Sequence, residues 1–494
     1  MRTRPHASTL VHLATGCLLL AGSAAAVPPR VSFVADPTAS LEGLGEFTSL
    51  ALDPLGRTHV AYFDPVQRAL VYAVQVQGGW RREVVDAGGV GWYASLALDG
   101  HGAPRVAYYD FTHGALKYAE RSGGAWAITV VDAGSPGTGH YCSLALAPNG
   151  APAISYYVAG ELCLRYAVRT GAAWSHETVD GAGNAGEAEA AQDRPDRGSK
   201  TPEISGDVPN VGLYSSLAIG RDGVPHISYQ DVTGADLKVA VRRGGAWLTE
   251  TVDASGDVGE HTSLKLDAAG RARVSYYDLQ RGALKLAVEG ADGSWTTQTV
   301  DAAGDVGAWS SLAIDADGRA RVSYLDASRG ALKYAEAAEG GAWVTQTLAA
   351  TGPARGTSLA LDRAGAPVIA SSGAASRGSF RLFSGVVPSG GAAAGDRSVP
   401  APGLALSAWP LPYKGGALDV SLTITSEGAF SDVRLVDLAG RHVRTLAHGA
   451  LGAGRRLLSW DGLDDAGRRV ANGVYFLVGR TGGEESRLKL VVLR

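Results

Sequence analysis

The sequence predicts an all-β protein: a seven-bladed β-propeller, its last blade closed by the N-terminal strand, followed by a small β-sandwich. Three observations carry this. The chain repeats with a period of about 47 residues, each period holds four short β-type runs, and the pattern changes near residue 386. Composition agrees. The 494 residues include 67 Gly against one Met and eight Phe, which suits many tight turns between short strands, because Gly takes up positive φ freely and weakens helix interiors. Hydrophobic residues make up 45% and charged ones 19%, so a substantial core can form and general disorder is not expected.

Three markers fix the period independently. A Ser-Leu pair begins at Ser49, Ser95, Ser143, Ser216, Ser263, Ser311 and Ser358; a Tyr recurs at 62, 108, 156, 229, 276 and 324; a Trp recurs at 80, 126, 174, 247, 295 and 343. Within one copy the runs are Ser311–Asp315, Arg321–Leu325, Ala331–Ala335 and Trp343–Thr347. They are too short for helices, rich in β-branched and aromatic residues, and punctuated by turns such as Asp315-Ala-Asp-Gly318. Four antiparallel strands at this period describe a propeller blade.

Six copies are complete, and the seventh supplies three runs, at Ser358–Leu361, Val368–Ser371 and Phe380–Phe383. Its fourth strand is expected from Val31–Ala35, which precedes Phe47-Thr-Ser-Leu50 as Thr297–Asp301 precedes Trp309-Ser-Ser-Leu312. Such closure would remove the unpaired edges of an open array.

Residues 1–26 read as a secretory signal peptide: Arg2 and Arg4 open it, an apolar run reaches Ala21, and Ser23-Ala24-Ala25-Ala26 offers a small-residue cleavage site. Lipid attachment at Cys17 is the alternative. No later stretch approaches the roughly 18 apolar residues of a membrane helix. The propeller is expected over 27–385 with an insertion at 184–210, a Pro/Gly/Ala linker over 386–402, and a second domain over 403–494. In the last, alternating runs at 418–425, 433–437, 455–460, 473–480 and 487–493 predict a β-sandwich.

That second domain carries Trp409-Pro-Leu-Pro-Tyr413, Val436-Asp-Leu-Ala-Gly-Arg441, Trp460-Asp-Gly-Leu-Asp-Asp-Ala-Gly467, Asn472-Gly-Val-Tyr-Phe476 and Lys489-Leu-Val-Val-Leu-Arg494. In this order the motifs resemble the Ig-like C-terminal domains of flagellar-hook-cap type, over residues 404–494. Similar domains look like type IX secretion sorting domains. The resemblance implies export, a partner in the secretion machinery, and surface retention or release.

The net charge of −4 with no Lys/Arg block argues against a nucleic-acid partner. After signal removal Cys142 and Cys163 remain, too few for a disulfide framework and wrongly spaced for zinc. They begin the first and third strands of one blade, so two free, buried thiols are expected. Four of the eight Lys, Lys117, Lys238, Lys285 and Lys333, each follow an Asp by seven residues, predicting ion pairs across one hairpin. Arg105, Arg273 and Arg321 read as charges flanking turns at the far ends of the blades. Asp315–Gly318 lacks the later carboxylates of a calcium loop, and neither a phosphate loop nor a metal-spaced His pair occurs. No cofactor is expected.

The candidate ligand-binding residues stand just before the first strand of successive blades: Phe47, Tyr93, Tyr141, Tyr214, His261 and Trp309, with Gly356 in the seventh. Such a ring around the axis could stack a sugar or grip a peptide. It could equally pack between blades where the chain crosses over. The insertion leaves the repeat on the same face. The expected function is an exported or cell-surface binding module for a glycan or protein. A polysaccharide-active hydrolase or lyase is the alternative, and a structural envelope protein a third. Catalysis would need unlike carboxylates and His, whereas repeated blades supply copies of one environment.

Overall fold

A computed structural model describes residues 32–35, 46–77, 79–181, 209–338, 341–350, 356–373, 379–386, 404–409, 413, 418–424, 430–438, 440–450, 454–481 and 484–493. The expected signal peptide, the insertion through residue 208 and the linker from 387 onward lie outside the described residues.

Short apolar runs cut by Asp-x-x-Gly turns give an all-β, propeller-like array. Four-stranded antiparallel sheets span 46–87, 90–132, 138–180, 211–253, 258–301 and 306–350, each hydrogen-bonded in chain order. One further sheet joins Thr357–Leu361, Pro367–Gly373 and Ser379–Val386, with Ser32–Ala35 along its outer edge. There Ser32 faces Val386 and Ala35 faces Phe383. In these turns an Asp, or Asn149 in one, satisfies the backbone: Asp315 Oδ1 accepts from Asp317 N at 3.0 Å and Arg319 N at 2.9 Å, so its role is to close the turn.

The period-marking residues hold one sheet to the next. The Ser of each Ser-Leu pair accepts a hydrogen bond from the Leu N–H of the following sheet, as in Leu96 to Ser49 and Leu312 to Ser263, both 3.0 Å. Leu50 N donates to Ser358 Oγ at 2.9 Å, joining the sheet that begins at Glu46 to the one that begins at Thr357. The period Trp reaches back likewise, Trp126 to Glu83 and Trp247 to Glu177.

Two of the four expected hairpin pairs form, Lys117–Asp110 and Lys238–Asp231 at 3.5 and 3.7 Å, but each of the four Lys lies nearer to another carboxylate. Lys117 Nζ lies 2.5 Å from Asp86, at the end of the preceding sheet, and 3.5 Å from Asp110 of its own hairpin. Tyr108 OH donates to the same Asp86 carboxylate at 2.7 Å. Tyr229 with Lys238 on Asp180, Tyr276 with Lys285 on Asp253, and Tyr324 with Lys333 on Asp301 repeat the arrangement. The hairpin Asp is drawn elsewhere, since Asp110 Oδ1 accepts from the backbone of Thr112 and His113 and so caps its turn.

The C-terminal part is a sandwich of two sheets. Leu404–Trp409, Leu418–Ile424 and Gly454–Trp460 form one; His442–Ala450, Phe430–Asp437, Gly473–Thr481 and Glu484–Val492 form the other. Buried Trp460, Leu418, Val420, Leu435, Leu477 and Leu490 fill the space between them. The strands Leu404–Trp409 and His442–Ala450 add to those read from the sequence.

Candidate functional site: the axial aromatic cavity

The six candidate residues converge. Phe47, Tyr93, Tyr141, Tyr214, His261 and Trp309 line one cavity of about 170 Å³, with Gly356 at the seventh position. They stand inside the innermost strands, where the sequence placed them just before: Tyr93 lies within Val90–Leu98 and Trp309 within Val306–Ile314. The reason is a bulge. The ladder register shifts on both sides of Trp92 and of Ala308, which lets the strand begin early and turns the next side chain toward the axis.

Backbone conformation makes the bulge possible. All six residues have positive φ, between 50° and 58°. Two residues before Trp309, Gly307 has φ 115° and approaches the neighbouring sheet so closely that a Cβ would stand 2.7 Å from Leu284 Cα. A hydroxyl then fastens four of the six bulges: Ser215 Oγ donates to Tyr141 O, Thr262 Oγ1 to Tyr214 O, Ser310 Oγ to His261 O and Thr357 Oγ1 to Trp309 O. Cys142 occupies this register and points its thiol at Tyr93 O, 3.1 Å away. Cys142 and Cys163 are both free and buried, as expected.

The rings lean on one another around the axis. Centroid distances are 4.6 Å for Phe47–Tyr93, Tyr93–Tyr141 and Tyr141–Tyr214, then 4.4 Å for Tyr214–His261 and His261–Trp309. Across Gly356 the circle opens, and Trp309 and Phe47 are 6.2 Å apart. Packing and cavity lining thus coexist: Tyr93 is buried, while the other five are half-buried. Desolvation pushes the His261 imidazole down to about 3, so it is neutral at physiological pH and adds an aromatic face to the wall.

A second set of residues was missed in the sequence. The residue between the bulge Gly and the ring residue varies from sheet to sheet, Trp92, His140, Leu213, Glu260 and Ala308, and that variation within a fixed motif was the available signal. Trp92 packs on Phe111, with centroids 4.6 Å apart, and His140 meets Tyr109 edge-on at 4.4 Å. Glu260, opposite Tyr277, is pushed up to about 7 by burial and then by the Asp257 carboxylate. No group of three or more His, Cys, Asp or Glu is placed to hold a metal among the described residues.

Residues 413–478 match the family model of the FlgD Ig-like domain. No curated protein matches the chain. Among solved structures, a protein of unknown function from Dyadobacter fermentans is similar over 72% of this chain and 100% of its own, with 11% identity and a TM-score of 0.41. The Aleuria aurantia lectin in complex with Fucalpha1-6GlcNAc is similar over 64% and 98%, with 15% identity and a TM-score of 0.40. An alpha-L-arabinofuranosidase from Fusarium graminearum is similar over 70% and 98%, with 11% identity and a TM-score of 0.42. Among the described residues, no helix is long and apolar enough to cross a membrane.

Proposed function

We propose that the chain is an exported glycan-binding protein, a closed seven-bladed propeller whose axial cavity takes one sugar ring. The signal-like residues 1–26 would direct export, and the Ig-like domain at the C-terminus would serve sorting or anchoring at the cell surface. One observation carries the ligand reading: six flat side chains, five of them with a polar edge, line a single cavity from equivalent positions of consecutive sheets. Sugar rings offer apolar faces for such stacking and hydroxyls for the tyrosine and imidazole edges. The size supports a single ring, since a cavity of about 150 Å³ holds benzene. The gap at Gly356 gives the rest of a saccharide a way out between Trp309 and Phe47.

The test is a glycan array, followed by calorimetric titration of the best ligand against wild type, Tyr93→Ala and Trp309→Ala, each checked for folding by circular dichroism. Affinity is expected to fall tenfold or more in both variants, about 1.4 kcal/mol. Unchanged affinity in two folded variants, or no glycan binding by the wild type, would refute the reading.

A further inference from the structure

The fifth four-stranded sheet, 258–301, departs from the repeat at a place that the aromatic cavity does not use. On the innermost strands, the residue after the Ser-Leu pair is Ala51, Ala97, Ala145, Ala218, Ala313 and Ala360, but here it is Lys265. Directly opposite Lys265 on the next strand stands Arg273. Residues facing each other across an antiparallel pair project to the same side, so two cations are set against one another, which is destabilising when nothing lies between them.

The same sheet lacks the usual counter-charges. Arg105 and Arg321 face Glu120 and Glu336 across the hairpin, whereas Arg273 faces Val288. Arg105 also bonds Tyr118 OH and Asp99, and Arg321 bonds Asp315. The tyrosine register carries Leu286 here. Among the described residues Arg273 has one carboxylate within 4 Å, Asp267 at 3.6 Å, which already holds Arg271 at 2.8 Å; Glu289 is taken up by Ala272 N. Its Nε is buried without a hydrogen-bond partner among the described residues. The Lys265 side chain likewise makes no hydrogen bond or ion pair among the described residues.

We propose that Lys265 and Arg273 form an anion site that takes a carboxylate or phosphate group. Lys265 is accessible to solvent, yet the mass of protein around its amine lowers its pKa, a combination that fits a side chain in an enclosed, wet space. Access is at hand. A Cβ at Gly318 would stand 4.0 Å from Arg273 Nη2, and Gly318 lines a cavity of about 500 Å³ together with Leu266, the residue after Lys265. That cavity is walled by the turns at 219–222, 266–270 and 314–318, at the opposite end of the inner strands from the aromatic ring. Of its carboxylates, Asp267 and Asp315 are engaged by Arg271 and Arg319, and Asp222, on the turn at 219–222, accepts from Val224 N. An anion bridging the two cations would relieve their repulsion and complete the guanidinium's bonding.

The experiment titrates sodium phosphate, sodium acetate and sodium D-glucuronate into the full chain at constant ionic strength, reading heat and thermal midpoint. Phosphate or acetate is expected to bind and raise the midpoint. Lys265→Ala, which installs the residue of the six other sheets and so should fold, is expected to bind at least tenfold more weakly, and Arg273→Ala to weaken binding in the same direction. Equal affinity for acetate and glucuronate would identify a free anion as the occupant; tenfold tighter glucuronate would identify a carboxylate carried on a sugar. Failure of all three anions to bind the wild type, or equal binding by Lys265→Ala, would overturn the site.

Discussion

Removing the Asp301 carboxylate should strand two buried partners at once. Lys333 Nζ and Tyr324 OH both bond Asp301 Oδ2, and the Lys333 and Asp301 side chains are 8% and 6% exposed. Asp301→Ala leaves an ammonium without a counter-charge, which typically costs about 3–5 kcal/mol, part of it from the hydroxyl left unpaired. Lys333→Val should cost less, because Asp301 keeps Tyr324 and the Ala303 N–H, and because the equivalent register already holds buried Val71. In the double variant the stranded charge is gone, so the two single effects should exceed the double by ~2 kcal/mol or more. The assay is urea unfolding of all four proteins at pH 7, comparing midpoints at unchanged slope. The pH dependence has a definite sign. Burial alone would raise the Asp301 pKa, but the Lys333 and Tyr324 bonds outweigh it and hold it below the usual range. Its contribution is therefore present above the unfolded-state value, about 4, and is lost as pH falls through the lowered folded value. A cost below ~1 kcal/mol for Asp301→Ala, or strictly additive effects, would refute the interlock between sheets.

Three further outcomes are expected. Glu260 is pushed up to about 7, so the folded state holds a proton that the unfolded state releases; its stability contribution is full below about 4.5 and is lost as pH rises through about 7. Glu260→Gln should therefore gain on the wild type between pH 5 and pH 8 by ~1–3 kcal/mol, and parallel urea midpoints over that range would contradict it. Gly307→Ala must fit a Cβ 2.7 Å from the Leu284 backbone at φ 115°, and should lower stability by ~2–4 kcal/mol in calorimetry; a shift under ~1 kcal/mol would mean that the strands can part. Burial raises both thiol pKa values, that of Cys163 to about 12, so iodoacetamide should label Cys142 and Cys163 in denaturant and leave them unmodified in the native protein, as read by mass spectrometry.

The repeat was legible because its markers are structural necessities. The Leu96 N–H to Ser49 bond recurs at every Ser-Leu pair; the reach of Tyr108 to Asp86 and of Trp126 to Glu83 recurs at most junctions, though Trp174 Nε1 has no hydrogen-bond partner among the described residues. The same logic misled the ion-pair reading. Asp110 and Lys117 are neighbours in sequence, and only the packing of two sheets reveals that Asp86, 31 residues earlier, is the nearer carboxylate. The candidate ring was found by register alone, but its place within the strand was not, because the bulge depends on a positive φ that Tyr and Trp do not advertise. Glu260 and Lys265 escaped notice for the opposite reason: they interrupt a pattern, and a search for likeness discards interruptions.

The backbone at the ring also bears on its use. Left-handed conformation costs a side-chain-bearing residue roughly 1–2 kcal/mol, and Gly, as at Gly356, is the unstrained choice. Five ring contacts at 4.4–4.6 Å, each worth about 0.5–1.5 kcal/mol, and four hydroxyl bonds to the strained carbonyls, each about 1 kcal/mol, are of the size needed to offset six such residues. The wall is therefore held by opposing terms of similar magnitude, with each ring fixed by its neighbours and by its own backbone. Side chains so restrained lose little further freedom when a ligand stacks on them, and that loss is one of the main costs of binding. A ring serving packing alone would reach the same stability with Gly at the bulge and apolar residues outside it. Flat groups, five of the six polar-edged, turned toward an open axis at a conformational cost are what the proposed preorganised surface requires and what mere filling of space does not.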